Sequence, residues 1–253
     1  MRYRVMAALV SAMMLTAVTG CKKEIEITEK PILNYTAPAE GEEIVVIHVR
    51  DRGDVKIRLF PELLPEACEN FTTHAKNGYY DELIFHRVIE GFMIQGGDPK
   101  GDGTGGESCW GGKFNGGVTE QLIHVPGALA YANSAGPATD GSQFYIVTGD
   151  KTDAETLKYY EEVYDQDPRV TYDINFTKEA EELYIQNGGA PHLDGGYTVF
   201  GQVIDGLDIV FEISQVPVNG SSKPKEAVYI DSITVESYDG STIRWYKSDY
   251  GIQ

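Results

Sequence analysis

A chain of 253 residues, 42% hydrophobic and with 28 glycines, is long enough to bury one sizeable core and is rich in turns. Its formal charge of −18 argues against a nucleic-acid partner, because phosphate binding needs a basic face. Acidity otherwise favours solubility and says little about function.

The chain begins MRYRVMAALVSAMMLTAVTGC. Arg2 and Arg4 precede an apolar run from Val5 to Val18, which is short for a membrane span of roughly 20 residues and reads as a targeting segment. Val18-Thr19-Gly20-Cys21 resembles a bacterial lipoprotein cleavage site. That resemblance implies a signal peptide over 1–20, a lipid on Cys21, and an extracytoplasmic protein anchored to a bacterial membrane. The alternative is an ordinary secretory signal in which Cys21 is incidental. Residues 22–41 mix charges with Pro, Ala and Gly, without an apolar period, so 21–41 reads as the lipidated cysteine and a flexible tether. Export permits a disulfide, but Cys68 and Cys109 stand at unrelated spacing and match neither a disulfide framework nor a zinc pattern. They read as unpaired.

EEIVVIHVR (42–50), the turn DRGD and the alternating VKIRLF (55–60) predict a half-buried β-hairpin. Pro65 opens a helix whose apolar face is Ala67, Phe71 and Ala75, and Gly78 ends it. LIFHRVI (83–89), FMIQGG (92–97), ALAYAN (128–133), SQFYIVT (142–148), YTVFGQVI (197–204) and VYIDSITVES (228–237) are strand-like, while GLDIVFEIS (206–214) reads as a short helix. DPKGDGTGGES (98–108) is a glycine loop without the lysine and strand-to-helix frame of a phosphate loop. This rhythm predicts a mainly β fold, a closed barrel capped by helices. The acidic stretch 150–190 interrupts it with helix-like pieces at 153–164 and 177–187. It reads as an insertion, either a solvated helical hairpin on the barrel side or a partner-binding element. The tail, 239–253, either packs on the barrel or hangs free.

GYYDELIFHRVIEGFMIQGGDPKGDGTGG (78–106) resembles the signature region of cyclophilins, the peptidyl-prolyl cis–trans isomerases. YANSAGPATDGSQFYIVT (131–148) and PHLDGGYTVFGQVIDGLDIV (191–210) are similar to two further segments of that family, in the right order. The likeness covers 42–238 and implies an eight-stranded antiparallel barrel with a helix over each end. It implies that Arg87 is catalytic, that Phe92 and Met93 line the proline pocket, and that Gln95 binds the substrate backbone beside Arg87. Asn133 matches an asparagine whose main chain pairs with the peptide, Gln143 a glutamine at the pocket edge, and Leu193 a pocket leucine. Tyr145 replaces a pocket phenylalanine, and Tyr197 stands where many members have histidine. His192 replaces the tryptophan of the members most sensitive to cyclosporin, so cyclosporin is expected to bind weakly. YANSAGPA is one residue longer than the family's commonest loop. His86 reads as a structural hydrogen-bonding residue, and Asp98 and Asp194 as turn residues rather than metal ligands.

The resemblance thus implies a monomer that needs no cofactor and no metal and acts on X–Pro bonds of proline-containing peptides and unfolded exported proteins. No bond is made or broken in that reaction, so an arginine and an apolar wall can suffice without a nucleophile. A proline-peptide binding module would use the same pocket without turnover. A solute-binding lipoprotein fits less well, since two similar α/β lobes are lacking.

Overall fold

The computed structural model describes residues 30–164, 170 and 175–252. The predicted signal peptide, Cys21 and the tether as far as residue 29 lie outside the described residues.

Strands β1 (Glu43–Val49) and β2 (Gly53–Leu59) form the predicted hairpin, followed by helix α1 (Pro65–Lys76). Short strands β3 (Arg87–Ile89), β4 (Met93–Gly96), β5 (Ala128–Tyr131) and β6 (Phe144–Val147) come next. Helices α2 (Ala154–Tyr164) and α3 (Lys178–Asn187) precede strand β7 (Val199–Asp205), helix α4 (Leu207–Ser214) and strand β8 (Ile230–Ser237). All strand pairs are antiparallel, in the order β3-β4-β6-β5-β7-β2-β1-β8.

The expected closed barrel is an open, curled half-barrel. Its edge strands β3 and β8 are not paired with each other; the residues just before them meet at a bridge between Ile84 and Tyr229, where the Phe85 N–H donates to the Val228 carbonyl at 3.0 Å and the Ile230 N–H to the Leu83 carbonyl at 2.8 Å. Beyond this point the Val88 N–H turns to the Ser222 carbonyl at 2.8 Å. A loop thus takes the backbone edge that a continuous β3–β8 ladder would need.

The concave side is filled by aromatic rings. Phe71 on α1 lies 5.0–5.4 Å from Tyr80, Phe144 and Phe200, and Tyr131 stacks on Phe200 at 4.3 Å. Ala67, Phe71 and Ala75 are all buried, as the four-residue spacing predicts. Pro65 fits the first turn, where its missing N–H is harmless, and Gly78 ends the helix in the left-handed region at φ 67°. Cys68 and Cys109 are unpaired.

Strand β1 departs from the half-buried expectation. Val45, Ile47 and Val49 face the main core, while Ile44 and Val46 are covered on the other face by Ile204, Tyr238, Ile243 and Trp245. The tail therefore packs. The Arg244 N–H donates to the Ile204 carbonyl at 2.9 Å, and the Arg244 guanidinium pairs with Asp205 at 2.7 Å. Residues 30–41, assigned by sequence to the tether, also dock. Ile32 and Asn34 are buried. Asn34 Nδ2 donates to the Ile123 carbonyl and to Gln202 Oε1, each at 3.0 Å, and its Oδ1 accepts the Ile123 N–H at 2.9 Å. Charge and proline content conceal this anchoring, because it depends on one amide meeting distant backbone.

The insertion leaves and returns at a narrow neck, where the Gly189 N–H reaches the carbonyls of Gly149 and Asp150 at 3.0 and 3.2 Å. Leu157 of α2 and Ala180 and Tyr184 of α3 join Ile32, Ile123 and Val125 in a second small core. Thr177 caps α3 by accepting the Ala180 N–H at 3.2 Å.

Asn34→Ala is expected to lower the unfolding free energy by about 2–4 kcal/mol in a urea titration, since it strands buried partners on Ile123 and Gln202. A loss below about 0.5 kcal/mol would mean that residues 30–41 do not dock in solution.

Candidate active site

The strand register assembles the site. Arg87 pairs with Gln95 across β3 and β4, and Gln95 pairs with Tyr145 across β4 and β6. Directly opposed residues share a face, so these three side chains form a row on one side of the sheet. Met93, two residues before Gln95, lies on that face too. Phe92 precedes the first residue of β4, where strand alternation does not yet apply, and it follows Gly91 at φ 69°.

The row is tied together by amides. Arg87 Nη1 donates to Gln95 Oε1 at 3.1 Å, Gln95 Nε2 to Gln143 Oε1 at 2.9 Å, and Gln143 Nε2 to the carbonyls of Gly103 and Gly105 at 3.1 and 2.8 Å. The glycine loop thus braces the far end of a chain that terminates in the guanidinium. The loop is shaped by Asp98, whose carboxylate accepts the N–H groups of Lys100, Asp102 and Gly103. Burial opposes ionisation of Asp98, but those backbone donors outweigh it and hold the carboxyl below its ordinary range. The turn role read for Asp98 is what the structure shows. Only glycine suits position 97, at φ 78°, since a Cβ there would stand 2.4 Å from the Ser142 carbonyl oxygen.

Arg87 is exposed, Met93 is buried, and Phe92, Gln95, Gln143, Leu193 and Tyr197 are half-buried. Phe92 meets the His192 ring at 5.5 Å. His192 and Leu193 lie on a 3-10 turn, Pro191–Leu193. Burial pushes the His192 ring down to about 4; nearby His124 adds to this and Asp194 opposes it. The Asn133 side chain ties its own loop to the segment before β7, accepting the Gly136 N–H at 3.0 Å and donating to the Gly196 carbonyl at 3.3 Å. The structure therefore brings together Arg87, Gln95, Gln143, Tyr145, Met93 and Phe92, with His192 against Phe92 and Asn133 on the adjoining loop.

Behind this wall lies a polar network that motif reading misses. Tyr145 is buried, and its hydroxyl lies 2.9 Å from His124 Nε2. His124 Nδ1 lies 2.6 Å from Asp194 Oδ1, and Asp194 Oδ2 accepts the Tyr184 hydroxyl at 2.6 Å. With the carboxylate accepting from Nδ1–H, Nε2 is left to accept the Tyr145 O–H. Asp194 is thus a buried network acceptor, not merely the turn residue expected from Leu-Asp-Gly-Gly. The four residues stand at unrelated spacing, so no local signal groups them. His86 also differs from expectation: it is buried, and neither ring nitrogen has a hydrogen-bond partner among the described residues. No cluster of three or more metal-ligating side chains occurs among the described residues.

Residues 44–235 match the family described as "Cyclophilin type peptidyl-prolyl cis-trans isomerase/CLD". The chain belongs to the cyclophilin family of peptidyl-prolyl cis–trans isomerases. It is 41% identical over 210 residues to a Staphylococcus haemolyticus protein named as a candidate peptidyl-prolyl cis–trans isomerase, covering 83% of this chain and 99% of that one. A similarly named Staphylococcus aureus protein is 44% identical over 197 residues, covering 78% and 93%. Among solved structures, a Cryptosporidium parvum cyclophilin-type isomerase, crystallised in the presence of the dipeptide Ala-Pro, superposes with a TM-score of 0.58 at 33% identity. That match covers 77% of this chain and 99% of the other.

Asp140 adds a pH-dependent feature beside the cyclophilin site. Its Oδ2 accepts the Thr198 hydroxyl at 2.6 Å. Burial pushes its carboxyl up to about 7, against the bonds from Thr198, Asn133 and Gly116 and the charge of Lys113. A folded-state value raised above the unfolded one favours the fold when the group is protonated. This contribution is complete below about pH 4 and is lost as the pH rises towards 7. Asp140→Asn is therefore expected to flatten that decline, by up to a few kcal/mol, in urea titrations at pH 4 and pH 7. Parallel pH dependences in parent and variant would contradict it.

Proposed function

We propose that this chain isomerises X–Pro bonds by stabilising the twisted amide with Arg87. The observation that carries this reading is an exposed guanidinium, bonded through Gln95 to a braced amide chain, beside the half-buried ring of Phe92 and the buried Met93 that follows it. The barrier to amide rotation is about 18–20 kcal/mol, from resonance, and uncatalysed exchange at proline takes tens to hundreds of seconds. In the twist the prolyl nitrogen loses conjugation and gains a lone pair that an N–H donor can bind. A guanidinium fixed in advance at that position acts on the transition state more than on the ground state. A rate gain on the order of 10⁵ corresponds to about 7 kcal/mol. One directed bond does not provide all of this, so enclosure of the proline ring by Phe92 and Met93 contributes too.

In this reading proline-containing peptides are the substrates, as the Ala-Pro dipeptide used with the Cryptosporidium relative suggests. Asn133 presents its main chain to the peptide, Gln95 and Gln143 line the polar side, and Tyr145, His192, Leu193 and Tyr197 complete the pocket. No cofactor takes part. The protein works as a monomer outside the cytoplasm, anchored through Cys21, where slow prolyl steps limit folding after export. His192 makes cyclosporin a weak ligand.

Arg87→Ala is expected to reduce kcat/KM for an Ala-Pro peptide by about 10²–10³-fold with residues 22–253, leaving the fold intact by circular dichroism. Peptide binding without exchange by the folded parent would favour a binding module instead. The rate per folded molecule should show no bell from about pH 6 to 8, because an arginine side chain does not titrate there and His192 is already neutral, so Asp140 beside Asn133 leaves at most one shallow inflection. A large bell-shaped profile would point to general acid–base chemistry.

A further inference from the structure

We propose that Tyr160, on inserted helix α2, is a specificity-determining residue of the isomerase site, forming with His192 a shelf for an aromatic side chain two residues from the substrate proline. The inference rests on the assignment of Phe92 and Met93 to the proline pocket and extends it to a part of the chain that no motif covers.

The geometry is a succession of ring contacts. Phe92 meets His192 at 5.5 Å between centroids, and His192 meets Tyr160 at 5.6 Å. The ring surface therefore runs outward from the pocket wall onto the insertion. Along an extended peptide, side chains on one face recur every second residue, about 7 Å apart. With proline against Phe92, the next side chain on that face starts about 7 Å on, past the 5.5 Å to His192 and short of Tyr160, so a large ring there reaches both. His192 is held neutral by burial, so the shelf is uncharged and suits a ring better than an acid or a base.

Helix α2 is fixed at this place. Leu157, three residues before Tyr160 and thus on the same helix face, is buried in the second core, whereas the adjacent Tyr159 is 57% exposed. Glu161 accepts the Phe176 N–H at 2.9 Å, joining α2 to the segment before α3. At the neck, the Asp150 N–H donates to the carbonyl of Gly91, the residue before Phe92, at 3.2 Å, and the Ala190 N–H, two residues before His192, donates to the His124 carbonyl at 2.8 Å. Both ends of the insertion are thus bonded next to the residues that its helix faces. Ring contacts of this kind add modestly to affinity, and a shelf reached by a side chain two residues from the proline alters preference rather than chemistry.

The test uses residues 22–253 and peptides carrying Phe or Ala two residues before, or two residues after, the proline. The parent is expected to prefer Phe over Ala on one side, by about three- to tenfold in kcat/KM. Tyr160→Ala and Tyr160→Leu bring that ratio close to one, and Tyr160→Phe keeps it. A parent with no Phe preference on either side, or a preference that survives both Tyr160→Ala and Tyr160→Leu, overturns the proposal. A folded parent that exchanges none of the peptides overturns the Arg87 reading on which it rests.

Discussion

One buried carboxylate holds the functional half of this molecule together. Asp194 accepts from the His124 ring and backbone and from the Tyr184 hydroxyl, all within 3.0 Å. Burying a charge is unfavourable unless donors surround it, and here they come from two places, the approach to β5 and helix α3, which meet at the carboxylate just after the 3-10 turn. Because the carboxylate needs all of them, it fixes their relative positions. His124 relays this constraint to Tyr145, which stands in the same row as Gln95 and Arg87.

The site joins two kinds of rigidity. On its polar side, a relay of amides runs from the glycine loop to the guanidinium, and each amide is oriented by the next. On its apolar side, rings meet at 5.5–6.4 Å around His192, His124, Tyr145 and Tyr197. A reaction that only rotates a bond gains from a surface that does not rearrange while the bond turns. Strands with fixed register provide such a surface better than loops do.

Much of this was legible in the sequence, where the signal was local. Val55, Ile57 and Leu59 alternate and are buried; Ala67, Phe71 and Ala75 recur at helical spacing and face the core. The pieces predicted at 153–164 and 177–187 correspond to α2 and α3. Arg87 and Gln95 were paired by motif, and strand register explains why. What escaped depends on partners remote in the chain. Asp194 sits in a short turn-like motif that says nothing of His124 or Tyr184. Asn34 lies in a charged, proline-containing stretch, yet its amide docks the whole segment. The open edge between β3 and β8 reflects a loop carbonyl at Ser222 that strand patterns do not encode.

The neck at Gly149 and Gly189 bears on how such a chain tolerates change in length. A detour whose ends already touch leaves the surrounding ladder untouched, and doubling a flexible loop costs only about 0.6 kcal/mol in closure entropy. Backbone topology therefore places little restriction on how many residues the detour between β6 and β7 contains. The restriction lies in the side chains that reach back from the detour: Leu157 and Ala180 to the second core, Tyr160 to His192 and Tyr184 to Asp194. A detour lengthened or shortened away from those contacts keeps the same sheet and leaves a differently shaped rim around the same arginine.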